Sequence, residues 1–169
     1  TAYNATTTIS HVKLNPAHEG FFPRLSATLQ TYQRWKIDSL SFDYLPQLPT
    51  STIGQVGFAM LSDPAAAQPT TVEEFMSLNG ARMVNVWQPC HITVPPMLLN
   101  KLSNEFITDQ AENTADLAEL RQACAGLLTI IVNNVPKGYV PGQLRANYRV
   151  RVIDPCNNID MTPTAALVY

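Results

Sequence analysis

Paired cysteines, clustered histidines, charge and long apolar runs are all scarce in this chain, and each shortage closes off a class of protein. The three cysteines, Cys90, Cys124 and Cys156, are odd in number and widely spaced, so they supply neither a disulfide framework nor a CxxC metal site. Free thiols in a reducing compartment are expected. The histidines, His11, His18 and His91, lack the spacing of a strand-borne H-x-H or a helix-borne HExxH site, which argues against a metal-dependent enzyme of the cupin type. No G-x-S-x-G elbow, P-loop or G-x-G-x-x-G occurs, and Gly54-Gln55-Val56-Gly57 lacks the remaining glycine of a dinucleotide fingerprint.

Charged residues make up only 14% of the chain, against about 25% in an average domain. Eleven Lys and Arg against thirteen Asp and Glu leave a formal net charge of -2, too little of either sign to grip nucleic acid or a membrane surface by charge alone. The longest apolar runs, such as residues 123–132, fall well short of the roughly 20 residues that cross a bilayer. Residues 1–10 carry neither a basic region nor an apolar signal core.

What remains is a chain of 169 residues and 18.7 kDa, read as a single domain over residues 1–169. It is 46% hydrophobic, so a sizeable core is available while few charges remain for the outside; much of the surface is expected to be covered by other subunits. Thirteen prolines and seven glycines, spread along the chain, imply many short segments separated by turns. Strands are expected at residues 5–14, 35–45, 55–60, 82–88, 91–94, 127–132 and 144–152. Within 35–45, Trp35 and Ile37 share one parity and Leu40, Phe42 and Tyr44 the other, which predicts a bulge near Asp38-Ser39.

Gly57 and Ala59 leave one face of their strand open to close packing, and residues 127–132, apolar at both parities, read as a strand buried on both sides. In 144–152 the alternation places Leu144, Ala146, Tyr148, Val150 and Val152 inward, so Tyr148→Asp is expected to unfold the subunit. Residues 21–32 make a short helical or irregular approach. Thr70 and Thr71, each three residues before a glutamate, form a doubled capping-box signal for a two-turn helix ending at Asn79-Gly80, and Thr114 caps a second helix that stops at Gly126. A count of about seven to eight strands with so few helices favours an all-β fold: an eight-stranded antiparallel jelly-roll sandwich with two short helices in its connections.

Two clusters stand out chemically. Asp109, Glu112 and Asp116 share one face if helical, and read as a solvated acidic face near a helix start rather than a cation site. Arg145, Arg149 and Arg151 form a basic stripe along one strand face, either an ordinary solvated face or a contact for phosphates or for acids on a neighbouring subunit. The strand pattern alone also allows a soluble jelly-roll binding module for carbohydrate or a receptor. Such modules often carry paired cysteines, absent here, and Trp35 and Trp87 are scattered rather than grouped as a sugar platform.

Residues 25–35 (LSATLQTYQRW) and 40–56 (LSFDYLPQLPTSTIGQV) resemble the shell domain of small icosahedral plant RNA virus coat proteins of the sobemovirus and tombusvirus lineage. Tyr44, Pro46, Pro49, Thr50, Thr52, Gly54 and Val56 match that family's Y-x-P-x-x-P-T-x-T-x-G-x-V run in register. Pro69 with the helix up to Asn79-Gly80, Trp87, and residues 148–155 (YRVRVIDP) are similar to later segments, while residues 95–125 match weakly. The resemblance implies a structural virion protein without catalytic residues, whose copies assemble in the host cell cytoplasm into an icosahedral capsid around single-stranded RNA.

It also implies calcium between subunits, held by two aspartates after a strand together with Asn and backbone oxygens from a neighbour. Asp63 matches the first aspartate and Ala66 stands where the second should be, which leaves Asn157 or Asn158, carbonyls and water to complete six to eight oxygens. Coat proteins of this kind hold RNA mainly through a basic N-terminal arm, and no such arm precedes the shell segment in this chain.

Overall fold

The computed structural model describes residues 5–17, 22–99, 105–108 and 117–155. Its strands are β1 (Ala5–Lys13), β2 (Tyr32–Pro46), β3 (Gln55–Leu61), β4 (Arg82–Asn85), β5 (Cys90–Val94), β6 (Phe106–Ile107), β7 (Leu127–Pro136) and β8 (Gly142–Pro155). Among the described residues four short helices lie between them, α1 (Pro23–Leu29), α2 (Val72–Met76), α3 (Pro96–Leu99) and α4 (Leu117–Ala123). One antiparallel sheet runs β1-β7-β3-β4; in the other, β2 has β8 on one edge and β5 and β6 on the opposite edge. The chain crosses repeatedly from sheet to sheet, which is the jelly-roll sandwich expected from the sequence.

The longest strand shows how the core is made. β2 carries its bulge between Ile37 and Ser39, where the register with β8 shifts by one residue at Asp38. That extra residue restores a single inward face, so Trp35, Ile37, Leu40, Phe42 and Tyr44 are all buried despite their broken parity in the sequence. The first four pack with Leu14, Met60, Leu99 and Leu128, and Tyr44 packs with Val56, Phe58, Val86 and Val135. Trp35 stacks on Phe106 with centroids 4.7 Å apart, and its indole N–H donates to the Ile107 carbonyl at 3.3 Å, which pins β6 to the edge of β2.

The first sheet is covered over part of its outer face too. Phe75 of α2, fully buried, packs with Ala59 and Ile131. It can do so because Gly57 has no side chain: a Cβ there would lie 2.6 Å from Ile131 Cγ2 and 2.7 Å from Phe75 Cε1. This is the close approach that Gly57 and Ala59 predict, and it explains why β7 is apolar at both parities.

Helix α2 is capped by Thr71, whose hydroxyl accepts from the Glu74 N–H at 3.2 Å while the Glu74 carboxylate accepts from the Thr71 N–H. Thr70 does not form a second box; its N–H and hydroxyl both donate to the same Glu74 carboxylate. The helix stops at Met76, before the expected Asn79-Gly80, because the Ser77 hydroxyl bonds back to the Glu74 carbonyl and the chain then turns through Gly80 at positive φ. β4 likewise ends at Asn85, where a Gln88-to-Asn85 turn replaces the rest of the expected strand. Two helices beyond the two expected connecting ones appear: α1, in the stretch read as helical or irregular, and α3, which opens at Pro96 where the ring favours a helix start. The expected cap Thr114 lies outside the described residues.

β8 departs most from its sequence reading. Leu144, Ala146, Val150 and Val152 do face the core, but only half-buried, and Tyr148 between them is 39% exposed, its ring set edge-on against Phe22 at 5.1 Å. Among the described residues β8 pairs only with β2, so its inward side overhangs the rim of the core. Tyr148→Asp is therefore corrected from an unfolding substitution to a weakening one.

Charged clusters and the uncharged end of the sandwich

Alternation along β2 buries Phe42 and Tyr44 and turns Asp43 outward between them. Pairing then sets His91 of β5 directly opposite on one side and Arg145 of β8 directly opposite on the other. Asp43 Oδ1 accepts from His91 Nδ1 at 2.6 Å, and Oδ2 accepts from Asn147 Nδ2 at 2.6 Å and from the Arg145 guanidinium at 3.1 Å. A carboxylate only accepts, so His91 carries its proton on Nδ1, and Nε2 is left to face the Thr93 hydroxyl at 3.1 Å. These bonds, that from His91 first, hold the Asp43 carboxyl down to about 2.

The expected arginine stripe exists as geometry but most of its charge is answered within the chain. Arg145 meets Asp43 and Arg151 meets Asp38, the bulge residue, each at 3.1 Å. Arg149, opposite Ser39, is exposed and has no ion pair among the described residues. Further along, Arg34 binds Asp154 and Glu105. Asp43, His91 and Asn147 were not identifiable as a cluster from sequence: alternation shows that Asp43 points out, but only the register shows what stands beside it.

Asp63 lies just after β3, in a turn whose Asp63-Pro64 signal ends the strand. Its Oδ1 accepts the Ala65 N–H at 3.0 Å, a local turn that also bonds the Ala66 N–H to the Asp63 carbonyl. On α4, Leu120, Ala123 and the adjoining Cys124 are buried with Ala65 packed on them, and Arg121 projects beside this seam. Its guanidinium grips Asp63 with both prongs, Nε to Oδ1 at 3.0 Å and NH2 to Oδ2 at 2.9 Å. The Arg121 hydrogen bond is the main cause that holds the Asp63 carboxyl below its ordinary value.

This arrangement does not fit the implied calcium site. A hard divalent ion needs six to eight oxygens, whereas both Asp63 oxygens already face a cation and Ala66 offers only a methyl group. Among the described residues no group of three or more His, Cys, Asp or Glu could hold a metal. Asn157 and Asn158, and the acidic trio Asp109, Glu112 and Asp116, lie outside the described residues.

The run from Tyr44 to Val56 builds one end of the sandwich. The Tyr44 hydroxyl lies 2.6 Å from the Val86 carbonyl and 3.0 Å from the Pro141 carbonyl, so one buried phenol ties two connections to β2. Gln47 N–H donates to the Pro141 carbonyl, Thr52 N–H to Pro49 and Val86 N–H to Gly54. Gly54 sits at φ 134, and a Cβ there would lie 2.5 Å from Val135 Cγ2. Of residues 45–54, 86–89 and 137–141, which form these connections, Lys137 alone is charged. Ile53, Tyr139 and Val140, 60%, 59% and 66% exposed, give this end an apolar character instead.

The family model for the viral coat protein S domain matches residues 2–158. The capsid protein of Oat chlorotic stunt virus is 25% identical over 149 residues, which cover 85% of this chain and 31% of that protein. The capsid protein of Red clover necrotic mosaic virus is 23% identical over 83 residues, 49% of this chain and 24% of that one. The chain thus spans 31% and 24% of the length of these relatives. Among solved structures, Tobacco necrosis virus shares the fold at a TM-score of 0.77 and 19% identity, covering 90% of this chain and 76% of that one. Cocksfoot mottle virus does so at 0.73 and 18%, covering 91% and 92%.

Proposed function

The chain belongs to the viral coat protein S-domain family, and we propose that it is the shell-building unit of an icosahedral capsid whose copies enclose single-stranded RNA. The family is structural rather than enzymatic, and the protein is a virion component. A soluble binding module is not favoured, since the family match runs through nearly the whole chain and the solved relatives are viruses.

The observation in the molecule that carries assembly is the uncharged end described above. Around a rotation axis each residue meets its own copies, so any charge near the axis faces its like. An end whose three connections carry Lys137 as their only charge, and with Ile53, Tyr139 and Val140 exposed, avoids that repulsion and offers apolar area to bury. The pairing of Arg145 and Arg151 with Asp43 and Asp38 bears on the RNA. It leaves Arg149 as the member of the stripe available to a phosphate or a neighbouring subunit, and one arginine adds a small, salt-sensitive increment. Neutralisation of the RNA falls mainly to a basic arm, and assembly takes place in the host cell cytoplasm. Negative-stain electron microscopy of the full-length protein at neutral pH tests this. Uniform closed shells are expected; monomers or small oligomers under all assembly conditions would overturn the reading.

A further inference from the structure

The Asp63 corner is a place where a cation is required and the chain itself supplies one. Asp63 must be ionised to accept two guanidinium bonds and the Ala65 N–H together, and the turn it closes is seated on α4 through Ala65. We propose that Arg121 takes the position of a divalent cation at this corner, so that the turn after β3 is clasped to α4 from within the subunit and the shell needs no calcium there.

Three features support this. The guanidinium engages both carboxylate oxygens in the planar, two-pronged geometry that a carboxylate prefers. A divalent ion entering the corner would first have to displace a like charge within 3.0 Å of each oxygen it needs. Ala66, bonded through its N–H to the Asp63 carbonyl, brings no side-chain oxygen to replace what Asp63 would give up. An intrachain pair also forms when the subunit folds, whereas an ion held between copies binds only on assembly, so a chelator can reach the second and not the first.

The inference rests on the shell reading, and its test separates the two. Purified protein is melted with excess calcium and with EGTA, and particles are sedimented after EGTA treatment. The melting temperature is expected to be the same in both buffers, and the particles to keep their sedimentation rate. Arg121→Ala and Asp63→Asn should each lower the melting temperature by about 2 °C, and the double variant by no more than the larger single loss. Arg121→Lys, which keeps the charge but not the fork, should fall between. A calcium-induced rise in melting temperature that vanishes in Asp63→Asn would overturn the proposal, as would EGTA-induced swelling or losses that simply add. Absence of shells in every buffer, with melting unaffected by calcium and non-additive variant losses, would refute the shell reading and uphold the clasp.

Discussion

The two sheets of the sandwich share an inner core and differ in what lies outside. The β1-β7-β3-β4 sheet is buried on both faces where α2 covers it, with Phe75 sealed against Gly57, Ala59 and Ile131. The β5-β2-β8 sheet turns a polar face outward, where Asp43 gathers His91, Asn147 and Arg145, and ends in β8, whose inward residues are only half-buried. Burial on both faces concentrates stability in the first sheet, while the second holds its outer surface together by exposed ion pairs of modest individual strength. Substitutions should therefore be felt in proportion to the sheet they strike.

The largest effect is expected from Phe75→Ala, which empties a fully buried site on the first sheet and should cost about 3–5 kcal/mol in chemical denaturation. Gly57→Ala comes next, at about 1–3 kcal/mol, since the new methyl must push aside Ile131 and the Phe75 ring. Equal stability of this variant and the wild type would mean that α2 does not sit where the packing places it. On the second sheet, Tyr148→Asp removes an edge-on ring contact worth about 0.5–1.5 kcal/mol, and the variant should remain folded by circular dichroism. Arg149→Ala should leave unfolding unchanged within about 0.5 kcal/mol and alter only assembly or RNA content. A larger loss in Arg149→Ala than in Tyr148→Asp would reverse the contrast between the faces of β8.

A further effect is a matter of pH. The Asp43 carboxyl is held at about 2, below its ordinary value, so the unfolded chain takes up a proton first as the solution is acidified. Its contribution to stability is complete above about pH 4 and is lost as pH falls towards about 2. Asp43→Asn cannot titrate, so the gap in melting temperature between wild type and variant should be widest above that window and close within it. A gap independent of pH would show that the hub does not depend on the Asp43 charge.

Much of the fold was legible because it follows from neighbours along the chain. The broken parity of Trp35 and Ile37 against Leu40, Phe42 and Tyr44 located the bulge, and the Thr71 to Glu74 spacing located a helix start. The Tyr44 to Val56 run carried the family resemblance because its prolines, its glycine and the Tyr44 hydroxyl all serve one tightly bonded end. The charged sites were legible only in part. Arg145, Arg149 and Arg151 do lie on one face, yet nothing near them in sequence announces that Asp43 and Asp38, about a hundred residues away, answer two of them. Arg121 is 58 residues from Asp63 and entered no expected site.

By itself, then, the order of residues determined the class of fold, the bulge, the α2 cap and the family, since local sterics and hydrophobic period act within a few residues. Tertiary structure decided the rest. Only sheet register could bring His91, Asp43 and Arg145 side by side, only the place of β8 at the rim could leave Tyr148 part-exposed, and only the docking of α4 could set Arg121 on Asp63. These outcomes depend on distances between segments remote in sequence, which are set when the two sheets close over a common core and not before.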